Sequence, residues 1–339
     1  MIIDFASSLA EYLTKQKLQH LILHVTNNCN FRCDHCFIDF SPKRDMTLAQ
    51  YQDLAKQVGK LFWLDIAGGE PFLRLDLAEI IAAFDFKVVQ IPSNGSLCDR
   101  MVDQLQKLKQ LTKAEITISL SVDGLEETHD RIRHQKGSWQ QIWKTLEAIK
   151  ALGGISVKIN SVLNAENAHE TIDLMKVVRK YEPDFHSIIL LRGDPMNPSL
   201  GLPTMEELHR LAPAIFEILE TYNYGRNKVA ARILRNYHRY LWKTSLQTIE
   251  QQTQVIPCLA GLAHQVVWGD GKVAPCEMLD PVGSLQTQTL KEITSSPAWQ
   301  QQLEDIKAKK CHCTHNCAMF DSIFFNPANF PHLAVGSTV

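Results

Sequence analysis

Between residues 20 and 191 the chain alternates short runs rich in β-branched and large apolar residues with longer stretches of helical period. The short runs are His20–Val25, Phe62–Ile66, Lys87–Ile91, Glu115–Ser119, Ile155–Ile159 and His186–Leu191. Between them lie amphipathic stretches such as Thr47–Lys60, Asp99–Leu111, Trp139–Leu152 and Glu166–Tyr181. Each is long enough to cross over between parallel strands. Six such units predict an α/β fold, a partial (β/α)6 TIM-like barrel whose reactive residues sit at the C-terminal ends of the strands and in the loops that follow.

Beyond the barrel, residues 204–245 read as one or two helices, with Thr204 as a cap ahead of Glu206 and Glu207. After them come short runs around Gly261, Gly269-Asp270-Gly271 and several cysteines, too small to bury much apolar surface unaided. A bound metal would supply the missing stability. The expected divisions are an N-terminal extension over 1–19, the barrel over 20–200, a helical bridge over 201–250, a small C-terminal unit over 251–325 and a tail over 326–339, fraying from Val335.

Composition narrows the function classes. The 339 residues carry a net charge of -2 and no long basic block, so nucleic acid is not an expected partner. No apolar run reaches the ~18 residues a membrane helix needs, and the start lacks the basic flank of a signal peptide, so the expected location is the cytoplasm. Nine cysteines are an odd number for a disulfide framework. Three fall within 29–36 and five within 258–317, a clustering that reads as metal ligation, while Cys98 stands apart as a core thiol.

Cys29, Cys33 and Cys36 have the spacing C-x3-C-x2-C in the loop after the first strand. Three thiolates hold three irons of a cubane cluster and leave the fourth open. A zinc site completed by His24 or His35 is the alternative. The spacing, the aromatic Phe37 and the position after strand one resemble the radical S-adenosylmethionine (SAM) superfamily, in which the open iron chelates SAM. Ala67-Gly68-Gly69-Glu70-Pro71 resembles that family's segment for the SAM amino group, and glycines there let backbone come close to a ligand. Ser119-Leu-Ser121-Val-Asp123-Gly124, followed by His129 and Arg133, resembles its fourth-strand motif. By that resemblance Ser121 meets the ribose or methionine part of SAM and Arg133 its carboxylate, although a solvated surface arginine is the ordinary alternative. Asn94, in a Ser-Asn-Gly stretch that a tight turn explains almost as well, and Arg192 after strand six match further rim positions.

Cys258, the Gly-Asp-Gly stretch, Cys276, Cys311, Cys313 and Cys317 resemble the SPASM and Twitch extensions of that superfamily. The Gly-Asp-Gly stretch fits a hairpin turning at Asp270-Gly271. Five thiols cannot fill two four-ligand clusters, so one auxiliary 4Fe-4S cluster is expected, held by Cys258, Cys276, Cys317 and either Cys313 or Cys311. A zinc site drawing on His312 or His315 is the alternative. The resemblance implies a first 4Fe-4S cluster, SAM, and a flavodoxin- or ferredoxin-type electron donor. It also implies an enzyme that cleaves SAM to a 5′-deoxyadenosyl radical and abstracts hydrogen from substrate. About 20 residues precede strand one, leaving no room for a winged leader-peptide domain, so a small molecule or carbohydrate is the expected substrate and a ribosomal peptide the alternative. An epimerase with Cys311 as hydrogen donor is a nearer rival, and a non-catalytic metal-binding module a more distant one. Glu277, Asp194 and Arg192 read equally well as substrate contacts or surface charge.

Overall fold

The computed structural model describes residues 2–41 and 43–336. Its centre is six parallel strands, β1 (His20–His24), β2 (Lys60–Ala67), β3 (Asp85–Ser93), β4 (Glu115–Ser121), β5 (Ser156–Leu163) and β6 (Phe185–Leu190). They lie side by side in chain order. Helices connect and flank them: α1 (Ile2–Lys15), α2 (Leu48–Val58), α3 (Leu77–Ala82), α4 (Cys98–Leu111), α5 (Glu126–Ile132), α6 (Ser138–Leu152), α7 (Thr171–Lys180), α8 (Met205–Leu219) and α9 (Lys228–Gln251). Reciprocal capping boxes start two of them, Thr47 with Gln50 at α2 and Thr204 with Glu207 at α8.

The two faces of this sheet differ in chemistry. One carries Leu21, Leu23, Leu64, Val89, Ile91, Ile118, Val157 and Ile159, which pack with Leu54, Leu105 and Leu146 of the surrounding helices into the main core. The other carries Asp65, Gln90, Thr117, Ser156, Lys158, Asn160 and Ser187 around a cavity of about 620 Å³. Side chains alternate between faces along a strand, and β5, Ser-Val-Lys-Ile-Asn-Ser-Val-Leu, shows the alternation in its burial at every position. A closed TIM barrel fills its interior with branched apolar residues. This partial barrel stays open, with polar strand residues on its inner face and aromatic side chains such as Phe62, Trp63 and Phe320 completing the wall.

The second cysteine region is joined to the barrel rather than hung from it. Strand β7 (His264–Val267) pairs in parallel with β1, His20 opposite His264. It then turns through Asp270-Gly271, where Gly271 has φ +84°, into antiparallel β8 (Lys272–Ala274). With β9 (Gly283–Ser284) the sheet has nine strands in the order β6-β5-β4-β3-β2-β1-β7-β8-β9. Helices α10 (Leu290–Thr294), α11 (Pro297–Lys307), α12 (Asn316–Phe324) and α13 (Phe330–Val335) complete the chain.

The N-terminal extension forms α1, whose Phe5 packs against Phe62, Phe324 and Phe325. The tail is ordered through α13, held to α9 by the Asn236 amide donating to the Leu333 carbonyl at 2.8 Å. The rest of the segment expected to fray, after Gly336, lies outside the described residues. Among the described residues no helix is long and apolar enough to cross a membrane.

Candidate functional site

The first three cysteines occupy the loop that leaves the C-terminal end of β1. Cys33 is buried and Cys29 and Cys36 are half-buried. The Cys36 amide donates to the Cys33 carbonyl at 3.1 Å, and the Phe31 amide donates to Cys29 Sγ at 3.4 Å. Burial pushes all three thiols up, Cys33 to about 12, while the Arg133 guanidinium draws each back down. Coordination to metal deprotonates such thiols outright.

Arg133, just past the end of α5, is buried rather than a solvated surface charge. Its Nη2 lies 2.6 Å from Asp123 Oδ2, and the Val162 amide donates to Asp123 Oδ1 at 2.8 Å. Burial pushes the Asp123 carboxyl up, but Arg133 and two histidines outweigh it and hold it at about 2.

The Gly-Gly-Glu-Pro loop after β2 presses directly on the loop that begins the cysteine segment. The Gly69 amide donates to the Thr26 carbonyl at 2.8 Å and the Glu70 amide to the Asn28 carbonyl at 2.9 Å. A Cβ on Gly68, where φ is +123°, would stand 2.2 Å from the Thr26 oxygen, and one on Gly69 2.1 Å from the Asn28 oxygen. The glycines are therefore demanded by the contact between two backbone loops, a reason beyond the ligand approach expected for them.

Glu70 is also committed within the chain. Its carboxylate accepts from the Phe72 amide at 3.2 Å, from Ser93 Oγ at 3.0 Å and from the Asn94 amide at 2.8 Å, and Pro71 opens a single 3-10 turn. Burial raises this carboxyl to about 7 against those donors. Asn94 in turn donates from Nδ2 to Asn30 Oδ1 at 2.9 Å, tying the end of β3 to the cysteine loop.

Several polar atoms near this rim are buried without a partner: Ser119 Oγ on β4, Asn160 Oδ1 on β5, Arg133 Nε, and Nε of Arg192, whose guanidinium lies 5.3 Å from the Phe37 ring centre. Ser121 ends β4, half-buried. Orphaned buried polar groups are rare, and ordered water or a bound ligand at the rim would satisfy them. Three thiols beside unpaired hydroxyl, amide and guanidinium groups fit a three-thiolate cluster carrying a small ligand with carboxylate and hydroxyl groups. His24 is unavailable as a zinc ligand through Nε2, which lies 2.7 Å from Glu277 Oε1.

At the second group, Cys276 follows β8, and Cys311 and Cys313 lie between α11 and α12. Cys258, Cys276, Cys311 and Cys313 form one neighbourhood: Cys258 feels both Cys313 and Cys311, and Cys276 feels both Cys313 and Cys258. Burial is the leading cause of their raised pKa, about 12 for Cys258. The surroundings are apolar, Ala260, Ile306, Leu303, Met278 and Leu279. Of the polar side chains nearby, Gln254 donates from Nε2 to the Cys311 and Ile306 carbonyls at 2.9 and 3.0 Å.

Cys317 departs from the expected set. It sits in the first turn of α12 on the stripe shared with Phe320 and Phe324, and all three line the barrel cavity. Its Sγ lies 3.2 Å from Asp65 Oδ2. Cys313 and Cys311 act on Cys258, and Cys313 on Cys276, whereas the leading influences on Cys317 are burial, Asp65 and Glu277. The histidines do not complete a zinc site with these thiols: exposed His312 pairs with Gln252, and buried His315 faces Glu277 at 2.5 Å.

Glu277 is no surface charge. It is buried between His24 and His315, which hold it well below the usual carboxylate range despite its burial. A second such group lies deeper, where Asp321 of α12 faces Nδ1 of His20 at 2.7 Å and of His264 at 2.8 Å. Sequence reasoning named His24, His315 and Glu277 singly but not as a group, and it missed the Asp321 group and the inward Asp65 and Lys158. The period-2 alternation of polar residues in β1, β2 and β5 was the available signal.

Comparison with known proteins agrees with this geometry. The profile of the radical SAM superfamily matches residues 23–178, and that of SPASM, an iron-sulfur cluster-binding domain, matches residues 258–318. The chain is 24% identical over 308 residues to the antilisterial bacteriocin subtilosin biosynthesis protein AlbA of Bacillus subtilis, covering 84% of this chain and 62% of that protein. It is 26% identical over 310 residues to a GTP 3',8-cyclase of Trichodesmium erythraeum, covering 85% of this chain and 90% of that enzyme. Among solved structures, Streptococcus suis SuiB bound to S-adenosylmethionine shares the fold with a TM-score of 0.64 at 15% identity, over 88% of this chain and 71% of that one.

Proposed function

We infer, from the premise that this chain belongs to the radical SAM superfamily and carries a SPASM domain, that it generates a substrate radical inside its barrel cavity. Cys29, Cys33 and Cys36 are read as ligands of the first 4Fe-4S cluster. Cys258, Cys276, Cys311 and Cys313 are read as ligands of an auxiliary one. Bound at the rim, the first cluster and SAM supply a hydrogen-abstracting carbon radical.

The chain's own part is positioning and exclusion of water. The backbone of Gly68, Gly69 and Glu70 holds the start of the cysteine loop, and Pro71 opens the turn that follows. Asn94 braces the same loop through Asn30. Ser119, Ser121 and Arg192 offer polar contacts to SAM at the rim. Asp123 holds Arg133 charged and oriented beside the thiols, where it favours thiolate and offers Nε to a carboxylate. The cavity below has aromatic walls that shield a substrate from solvent.

The observation that carries the reading is the meeting of three free thiols with unpartnered buried Ser119, Asn160, Arg133 and Arg192 atoms at one barrel rim. A small molecule is the substrate read from the cavity. The similarity to AlbA, a bacteriocin biosynthesis protein, favours a peptide as the second reading. A flavodoxin or ferredoxin in the cytoplasm is read as the electron source.

The test is iron and sulfide content with electron paramagnetic resonance on anaerobically reconstituted protein, plus 5′-deoxyadenosine released with dithionite and SAM. About eight irons and release of the nucleoside support the reading. Zinc in place of iron, or no SAM cleavage, overturns it.

A further inference from the structure

We propose that the barrel cavity takes a small apolar molecule bearing a carboxylate, and that Lys158 is the residue that holds the carboxylate. The proposal rests on the reading of the chain as a radical SAM enzyme and names the class of molecule its cavity accepts.

Lys158 projects from the inner face of β5, between Ser156 and Asn160, into the cavity. Its ammonium makes no hydrogen bond or ion pair among the described residues. The acids around it are committed elsewhere. Asp65 on β2 accepts from Gln90 Nε2 at 3.2 Å on one oxygen and faces Cys317 Sγ at 3.2 Å on the other. Glu277 lies between His24 and His315, and Asp184 accepts from the Val157 amide at 2.8 Å. Lys158 is half-buried, and its ammonium opens on the cavity without a partner, so an anion entering the cavity finds it free to pair. Burial lowers the Lys158 pKa, with the Asp65 carboxylate opposing the shift.

Charge and wall chemistry narrow the anion. The other cations of the cavity are Arg226, paired with Glu115, and Arg192, stacked on Phe37 toward the cysteine loop. One ammonium with Asp65 nearby suits a single negative charge, whereas a dianionic phosphate needs several donors. The same cavity is walled in part by Phe62, Trp63, Tyr237 and Phe320. They offer area to an apolar body, while the polar side chains on the strand floor, Ser156 and Asn160 beside Lys158 among them, face its charged end. A volume of about 620 Å³ is that of a small-molecule site.

The probe pair is 2-naphthylacetate and its neutral amide, titrated calorimetrically into cluster-loaded parent, Lys158→Met and Lys158→Arg proteins. One charge-assisted hydrogen bond predicts that the parent prefers the acid by at least about tenfold. Lys158→Met should bring the ratio near one, and Lys158→Arg should restore most of it. Equal binding of acid and amide by the parent overturns the proposal, and so does an acid preference that survives Lys158→Met. If the methionine variant fails to fold, the parent ratio and its retention by the arginine variant still decide. SAM cleavage by the same parent preparation separates the two readings. Cleavage without acid preference removes the carboxylate assignment and leaves the enzyme. Acid preference without cleavage removes the enzyme and leaves the binding site.

Discussion

The two thiol-bearing regions are built on different chemistry. Around Cys29, Cys33 and Cys36 the neighbours are polar, partly unpaired and braced by ion pairs and close backbone contact. Around Cys258, Cys276, Cys311 and Cys313 they are aliphatic, with Gln254 bonding the backbone. The first region is prepared for a second molecule beside its metal. The second is prepared to hold a metal and to exclude everything else. A thiol triplet in one and a quartet in the other follow the same division, since an open iron has a use only where a ligand can reach it.

The largest expected effect comes from removing the first triplet. Alanine at Cys29, Cys33 and Cys36 together should halve the iron and lower 5′-deoxyadenosine release by about a thousandfold or more, measured by iron assay and chromatography. Alanine at Cys258 and Cys276 should remove the other half of the iron while the rim signal in paramagnetic resonance remains. Loss of both signals in either variant would break the comparison.

Next in size is Gly69→Ala. Its Cβ would meet the Asn28 oxygen at 2.1 Å, so one loop must move. SAM affinity should fall by about a hundredfold, a cost of about 3 kcal/mol, with auxiliary iron unchanged. Serine at Cys313 and at Cys317 sharpens the second region: iron lost from Cys313→Ser but kept in Cys317→Ser supports the proposed quartet, and the reverse result makes Cys317 a ligand.

A smaller effect concerns pH. Burial raises Glu70 from 4.5 to about 7, so the folded protein prefers the protonated carboxyl. The stability this group contributes is fully present below about 4.5 and is lost as pH rises through about 7, by about 3 kcal/mol at most. Denaturation of the cluster-free protein from pH 4.5 to 8 should show that decline, and Glu70→Gln should flatten it. Smallest is Gln254→Ala, which removes two hydrogen bonds to carbonyls and should cost about 1–3 kcal/mol of auxiliary-region stability in hydrogen exchange.

The six barrel strands were legible because each is a short β-branched run bounded by a helical period, and the first cysteine loop because its spacing is local. What escaped depended on contacts between distant residues. No local signal says that His264 will lie beside His20, or that Cys317 of α12 will face Asp65 of β2. The N-terminal helix was passed over because Phe5 finds its partners at Phe62, Phe324 and Phe325. For Glu277 the sequence left substrate contact and surface charge equally open, and for Arg133 it kept a surface charge as the alternative to a SAM contact, because burial is decided by such packing. The polar lining was readable in principle, since Ser156, Lys158 and Asn160 alternate with Val157 and Ile159.

The parallel pairing of β1 with β7 also shapes how the protein is made. Strand β1 leaves the ribosome long before β7, so one of its edges waits for a partner that is remote in sequence. Until then its unpaired amides and carbonyls are a template for another chain, and pairings this remote in sequence form slowly. A nascent or proteolysed fragment ending before Cys258 should therefore aggregate through β1. Expression that slows chain completion should lower the soluble yield even when iron and sulfide are abundant.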